Sequence, residues 1–388
     1  MNVQKYYYFF ELQRKMCIFA ENLAMEERVK VRKPRLEWLD ALRGFTMIMV
    51  VAYHVCQQGF MMPVKVSSSM PFLVLFRMPL FFFVSGFLAY KANLQWNLPT
   101  LGRLVGKKLR VQMIPTIVFF LFAACVIRTE PTFLKAVDTM LHSATKGGYW
   151  FTLALLYMFL IYYLFSYLES KLKWKSCIPI LLFFLLSLVV YETCWLPRHF
   201  WWAYGYRPMI RDSWLHVSSL FQVMQYMPFF LYGNIVRRYW DRSQRIMDSR
   251  WFFPVIIVVV IFCTLDTLKW HTLRMEWANL PLTMAKFILL TVVFMYFRHY
   301  DKYFTHMTWI GRSLQYIGRR TLDIYLLHFL FLPNLPGVGN FFDVNRHNFI
   351  MDITLSVIIG LVIIGFSIIT SNILRISPLF KKYLFGRS

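Results

Sequence analysis

The chain has 388 residues, of which 58% are hydrophobic and 16% are charged, and its formal net charge is +24 at pH 7. Soluble globular proteins are about 45–50% apolar and about 25% charged, so this composition excludes an ordinary soluble protein and indicates a polytopic membrane protein. The positive charge could suggest a nucleic-acid-binding protein. However, the basic residues cluster in short segments between apolar runs, as in membrane-embedded chains. We therefore expect membrane lipid, and no nucleic acid, as a partner.

Apolar runs of about 20 residues predict transmembrane helices. In chain order, the predicted spans are 38–58, 71–90, 111–127, 150–168, 177–195, 214–236, 251–268, 278–297, 319–335 and 350–374. The predicted fold class is therefore all-α, a polytopic membrane bundle of about ten transmembrane helices. Lys and Arg concentrate in the segments that lie on the same side as the N-terminus, which predicts that both termini are cytoplasmic.

The spans also divide the chain into regions. Residues 1–35 are predicted to be a cytoplasmic lead. Met25 is the expected true start of the protein, and the alternative is that residues 1–24 form an amphipathic helix. Residues 36–375 form the predicted membrane domain, and 376–388 form a cytoplasmic tail. The six cysteines have no CxxC or zinc-site spacing, so neither a metal site nor a disulfide framework is expected.

The first predicted span contains three ionisable residues, Asp40, Arg43 and His54. Eleven helical residues make about three turns, so Arg43 and His54 should share one face about 16 Å apart, with Asp40 close to the same stripe. Ionisable groups inside a membrane span are energetically unfavourable and commonly functional. Because a His can transfer a proton near neutral pH, we expect His54 to act as a base, oriented by Asp40 or by a backbone carbonyl.

The second span adds Arg77, at a predicted depth similar to that of His54, followed by the small residues Ser85 and Gly86. A buried cation beside His54 favours the neutral imidazole, which can accept a proton. Small residues at positions 85 and 86 would allow close helix packing. Taken singly, His54 could be a packing residue and Arg43 a boundary residue that snorkels to the surface.

A basic helix face follows the second span, where Arg103, Lys107 and Arg110 recur at helical spacing. Two interpretations are open. The face could simply anchor the chain at the cytoplasmic surface. It could instead bind the phosphates of a polyphosphorylated cytosolic donor such as a coenzyme A thioester.

Later segments supply weaker candidates for substrate binding. Asp323, Tyr325 and His328 interrupt the ninth apolar run, and Trp150 opens the fourth span. Trp202 lies in an aromatic segment, 195–213, whose rings would suit stacking against a sugar. The alternative for the aromatic residues is an interfacial belt.

The early motifs resemble a known family, the acyltransferase 3 family of bacterial membrane acyltransferases. LDALRGFTMIMVVAYHV (39–55) is similar to the family's first helix, in which a basic residue is followed after ten positions by a His. FRMPLFFFVSGFL (76–88) is similar to its second helix, and TLDIYLLH (321–328) to a late motif. The basic stretch before Ile114 resembles the family's RxxR, with Lys in place of the first Arg, at position 107.

The resemblance implies an acyltransferase in the bacterial cytoplasmic membrane. It would transfer an acyl group, by default acetyl from acetyl-CoA, to a hydroxyl of an extracytoplasmic carbohydrate. His54 and Arg77 would be catalytic, with Asp40 in support, and the donor would meet Arg43, Arg103, Lys107 and Arg110. Succinyl transfer to a glucan is the closest alternative, and a secondary transporter that uses the same buried polar residues is the main rival.

Overall fold

Every secondary-structure element in the described part of the chain is helical, which confirms the all-α prediction there. The computed structural model describes residues 36–62, 67–126, 130–143, 145–174, 176–192, 214–269, 280–344 and 348–378, with Phe380 and Leu384. The predicted lead 1–35 lies outside these ranges, as do most of the tail 376–388 and Trp202 with its segment 195–213.

The α-helices of the described ranges are numbered here in chain order. They are α1 (Glu37–His54), α2 (Ser69–Ala89), α3 (Leu98–Lys108), α4 (Ile114–Val126), α5 (Phe133–His142), α6 (Trp150–Lys171), α7 (Ile178–Val190), α8 (Trp214–Val217), α9 (Leu220–Arg238), α10 (Trp240–Met247), α11 (Phe252–Lys269), α12 (Leu280–His299), α13 (Trp309–Arg319), α14 (Thr321–Leu327), α15 (Pro336–Val344) and α16 (Phe349–Leu374). π-Helical turns occupy Val55–Gly59 and Leu109–Met113, and 3₁₀ turns occupy Lys146–Gly148, Asp301–Phe304 and His328–Phe331.

Six helical segments of the described residues are long and apolar enough to cross a membrane. They are Glu37–Gly59, Ser69–Ala89, Leu98–Val126, Trp150–Lys171, Leu282–His299 and Phe349–Leu374. Each overlaps a predicted span, because about 20 apolar residues in helical form match the thickness of the hydrocarbon core. The third segment begins at Leu98, well before the predicted start at 111. Helices α7 and α11 lie at two further predicted spans. The total of ten spans and the cytoplasmic termini remain predictions.

Two predicted spans are not continuous helices. In the sixth, α8 ends at Val217 and Ser219 takes a left-handed conformation with φ of 61° before α9 begins. In the ninth, predicted over 319–335, the α-helix ends at Leu327 and a 3₁₀ turn continues to Phe331. The segment Thr321–Phe331 then meets Pro336–Val344 at a bend of 89°. Two prolines in this region, at positions 333 and 336, lack the backbone N–H that a continuing helix needs. Together the two segments form a broken span or a re-entrant loop.

Glycines set how closely the central helices approach. A Cβ on Gly86 of α2 would lie 1.8 Å from the carbonyl oxygen of Phe230 in α9, and one on Gly233 would lie 1.9 Å from that of Phe83. Likewise, a Cβ on Gly318 of α13 would lie 1.8 Å from the carbonyl oxygen of Asp40. Small residues permit such backbone contact between membrane helices, as predicted for position 86. These contacts hold α2 against α9 and α1 against α13.

Candidate active site

One elongated cavity of about 650 Å³ brings the first-span candidates together. Arg43, Met47, Val50 and His54 all line it, so a single face of α1 forms one wall. The first and last of these residues are eleven positions apart, which is about 16 Å along a helix axis. The spacing of Arg43 and His54 in the sequence thus corresponds to two ends of the same cavity.

His54 lies at a change in helix geometry. It is the last residue of α1, and the π-helical turn Val55–Gly59 follows at once. Such turns occur frequently at functional sites, since they displace side chains from the regular helical positions. His54 is half-buried and lines the cavity, whereas its Nδ1 is buried and has no hydrogen-bond partner among the described residues. That leaves Nε2 as the ring nitrogen that can meet a substrate.

Arg77 lines the same end of the cavity as His54. Its guanidinium carbon lies 3.5 Å from the ring centroid of Tyr53, the residue that precedes His54. This is a cation–π contact in a desolvated setting, where such contacts can contribute about 2 kcal/mol. Within the described ranges, Arg77 Nε is buried without a hydrogen-bond partner. Because Arg77 lines the cavity, its guanidinium can place positive charge near an oxygen of a molecule bound there.

An aromatic stack forms the wall beside Arg77. Tyr226 of α9 stacks on Phe82 and on Trp150, at centroid distances of 4.7 Å and 5.7 Å, and the three rings form one cluster. Trp150 lines the cavity, as do the polar side chains Gln222 and Gln225 of α9. A wall that combines ring faces with amide groups can contact a molecule that has both apolar faces and hydroxyls, such as a sugar.

The opposite end of the cavity is basic. Five cationic side chains line it: Arg43, Lys91, Lys107, Lys108 and Arg319. Partial desolvation and the charges of Lys107 and Arg103 lower the pKa of Lys91. The crowding that lowers this pKa is electrostatically unfavourable until an anion binds. Residues of this type and number suit a ligand with several phosphate charges.

Asp40 belongs to this basic end and does not orient His54. Its carboxylate oxygens lie 3.6 Å from Arg43 Nη1 and 3.6 Å from Arg319 Nε, so it is placed between two cations of the cavity wall. Fourteen helical residues separate Asp40 from His54, which is about 21 Å along α1. The prediction that Asp40 orients the imidazole is therefore wrong. Arg43 also donates from Nη2 to Thr321 Oγ1 at 3.0 Å, which fixes its guanidinium further.

The basic face predicted after the second span is only partly at the cavity. Lys107 lines the cavity, whereas Arg103 and Arg110 are exposed and do not. The sequence reasoning missed Lys108, whose Nζ lies 3.3 Å from the ring centroid of Phe159 in α6. Its position could have been predicted from the helical spacing, because Lys108 shares one helix face with the buried residues Leu104 and Gln112. Arg319 was also missed, because its partner Asp40 is distant in the sequence.

Of the three candidates in the segment 321–328, only one lines the cavity. Asp323 is an ion-pair residue behind the cavity, bound by Arg375 Nη2 at 2.6 Å and Ser371 Oγ at 2.9 Å. Tyr325 lines the cavity, but its hydroxyl donates to the carbonyl of Gly148 at 2.7 Å. His328 has no exposed surface, so substrate contact is excluded for it in this conformation. The sequence shows only that these polar residues interrupt an apolar run. It does not show that His328 is buried or that the Tyr325 hydroxyl is already hydrogen-bonded.

Comparison with known proteins identifies the family. The family model Acyl_transf_3, described as an acyltransferase domain, matches residues 36–372. Searches among curated proteins and solved structures give no match. The matched region includes both ends of the cavity and the helices that form it. The chain therefore belongs to the acyltransferase 3 family of multi-pass membrane acyltransferases, as its motifs predicted.

Proposed function

We propose that this protein transfers an acyl group from a cytosolic acyl-CoA to a hydroxyl of an extracytoplasmic carbohydrate, in a bacterial cytoplasmic membrane. The observation that supports this most strongly is the single cavity that joins a cluster of cations to His54 and Arg77. Acetyl is the proposed group, and succinyl transfer to a glucan by the same mechanism is the alternative.

We orient the proposed donor along the cavity by its charge. Coenzyme A has its phosphates at one end and its thioester at the end of a long flexible arm. We place the phosphates against the basic end, where Lys107, Lys108 and Arg319 supply charge-assisted hydrogen bonds. The arm then extends along the face of α1 from Arg43 to His54, so that the thioester reaches the imidazole. Asp40 holds the guanidinium groups of Arg43 and Arg319 in place.

The reaction then needs one base and one electropositive group. His54 Nε2 removes the proton of the acceptor hydroxyl while its oxygen attacks the thioester carbonyl carbon. Arg77 stabilises the negative charge that develops on the carbonyl oxygen. The C–S bond then breaks, and the imidazolium returns its proton to the leaving thiolate. The products are an ester and free coenzyme A, and His54 is neutral again.

A covalent variant uses the same residues. In it, His54 attacks the thioester and forms an acyl-imidazole, which the acceptor hydroxyl then resolves. We favour direct transfer, since one cavity can hold the donor thioester and the acceptor together. A labelled acyl group trapped on His54 in a single turnover without acceptor would instead support the covalent variant.

The acceptor would occupy the aromatic end of the cavity. Trp150 presents its ring there, with Tyr226 stacked on it from behind the cavity wall, and Gln222 and Gln225 present amide groups. Trp202, in the segment outside the described residues, stays a candidate for the same role. This combination matches the stacked faces and the multiple hydroxyls of a carbohydrate.

The test is acyl transfer by membranes that contain wild-type protein or His54→Ala at matched levels. Labelled acetyl-CoA and surface glycans of the native host serve as substrates. We expect His54→Ala to lower the transfer rate by about 10²-fold or more, as loss of a general base does. The control His306→Gln changes an exposed histidine outside the cavity and should retain wild-type activity.

Full activity in His54→Ala would contradict the mechanism. Transfer by wild type from succinyl-CoA but not from acetyl-CoA would select the alternative donor. Lack of transfer from either donor would contradict the proposed function itself.

A further inference from the structure

A second histidine lies directly behind the proposed base. The imidazole rings of His54 and His328 have centroids 5.3 Å apart, and the ring of Phe329 packs against both, at 4.9 Å and 4.0 Å. His328 is fully buried and does not line the cavity, so the proposed reaction leaves it without a role. Each nitrogen of such a buried imidazole is expected to have a hydrogen-bond partner, because unpaired polar atoms are unfavourable in an apolar interior.

The hydrogen bonds of His328 define which of its nitrogens carries the proton. Nδ1 lies 3.0 Å from the carbonyl oxygen of Ile324 and 2.9 Å from that of Tyr325. Carbonyl oxygens can only accept, so Nδ1 must be the N–H donor. In the neutral ring, Nε2 is then a lone-pair acceptor. Among the described residues, that Nε2 has no hydrogen-bond partner, and neither has the buried Nδ1 of His54.

The two unpaired nitrogens are chemically complementary. An Nδ1–H on His54 could donate to Nε2 of His328, which would satisfy both atoms. Imidazole nitrogens lie about 1.1 Å from the ring centroid, so rings at the observed separation can bring two nitrogens to about 3 Å, a normal hydrogen-bond length. The ring of His54 would have to rotate to form the bond, since the two carbonyl bonds hold the ring of His328.

We propose that His328 is a positioning residue that holds the proton of His54 on Nδ1 and thereby keeps Nε2 free to act as the base. This inference rests on the proposed function, in which His54 accepts the proton of the acceptor hydroxyl. A neutral histidine in the other tautomer would present an N–H to the hydroxyl and could not accept its proton. Fixing the tautomer is the role that a hydrogen-bonded partner has for catalytic histidines in general.

The surroundings hold His328 in the required orientation. Tyr325 donates to the carbonyl of Gly148, and Tyr149 donates to the carbonyl of Leu326 at 3.1 Å. Two bonds therefore fasten α14 to the end of the 3₁₀ turn Lys146–Gly148 and to the residue that follows it. Gly148 has φ of +99°, and a Cβ there would lie 2.2 Å from the ring of Phe329. The glycine therefore lets Phe329 seat against both imidazoles. These contacts fix the carbonyl groups that define the tautomer of His328.

The direct test is ¹⁵N solid-state NMR of histidine-labelled protein in lipid at pH 8, where an ordinary imidazole is neutral. The signals of His54 are identified by their loss in His54→Gln. We expect the wild-type His54 to carry its proton on Nδ1, and His328→Asn to show a mixture of tautomers. A wild-type His54 protonated on Nε2 would overturn the proposal. This readout does not depend on activity, so it separates failure of the pairing from failure of the proposed function.

A matched pair of variants provides the kinetic test. In His328→Gln the terminal amide oxygen can occupy the position of Nε2 and still accept from His54. In His328→Asn the amide can bond to the carbonyls of Ile324 and Tyr325 but cannot reach His54. We expect the Asn variant to lose about 10²-fold in kcat with an unchanged donor KM, and the Gln variant to recover at least tenfold of that loss.

Equal activity of the two variants, whether both are high or both are low, would contradict the positioning role. Matched thermal unfolding temperatures in lipid would show that the comparison concerns folded protein. If neither variant folds, the tautomer of wild-type His54 still decides the question.

Discussion

Lys108 lines the basic end of the cavity, although its residue type alone does not distinguish it from the neighbouring basic residues. Its Nζ lies over the ring of Phe159 inside the cavity, whereas its neighbour Lys107 is more exposed. If the donor phosphates bind at this end, removal of the Lys108 charge should weaken donor binding more than it slows the chemical step.

We therefore expect Lys108→Met to raise the KM for acyl-CoA by about tenfold, which corresponds to about 1.4 kcal/mol, with kcat changed less than twofold. Met keeps an unbranched side chain of nearly the same length and removes the charge that lies over Phe159. Steady-state kinetics across donor concentrations measures both constants. Lys302→Met, at an exposed position outside the cavity, is the matched control. A fall in kcat with an unchanged KM would show that Lys108 does not bind the donor.

Part of the site could be predicted from single residues. Arg43, His54 and Arg77 are ionisable groups inside apolar runs, and their energetic penalty in a membrane makes them recognisable. The role of Asp40 could not be predicted, because its partner Arg319 lies far along the chain and meets it only through the contact of α1 with α13. The same holds for Asp323, whose partner Arg375 follows 52 residues later.

At the scale of helices, the length and hydropathy of apolar runs predicted where the helices lie, but not where they break. Span 38–58 matches Glu37–Gly59, but nothing in its apolar pattern indicates that the last turn is π-helical. Hydropathy also placed 319–335 in one span, although the α-helix there ends at Leu327, a 3₁₀ turn follows to Phe331, and the bend of 89° comes next. Breaks of this kind depend on tertiary contacts, such as the bond from Leu335 N to the carbonyl of Gly59 at 2.7 Å.

The glycine contacts make a prediction at this scale. Gly86→Ala should destabilise the protein by about 1–3 kcal/mol, because the added methyl group collides with the backbone of α9 rather than with a flexible side chain. Gly365→Ala is the matched control, since a Cβ on this glycine of α16 meets nothing within 4 Å. Thermal unfolding in detergent should therefore show a lower Tm for the first variant and an unchanged or higher Tm for the second. Equal Tm values would contradict the close approach of α2 and α9.

At the scale of the whole molecule, the cavity is chemically asymmetric. One end is cationic, and the other combines a histidine, an arginine and aromatic rings. The two ends are separated by eleven residues of a single membrane helix. Under the proposed function, a donor bound at the cationic end would present its thioester at the other. This arrangement suits a reaction whose donor and acceptor arrive from opposite sides of a membrane.

The most direct test of this account is the sidedness of transfer in sealed, oriented vesicles. Acyl-CoA and an oligosaccharide acceptor, both unable to cross the membrane, are supplied on the same face or on opposite faces. We predict that acylated product forms only when acyl-CoA is on the cytoplasmic face and the acceptor is on the other. Product formation with both substrates on one face, and none with them on opposite faces, would contradict the account.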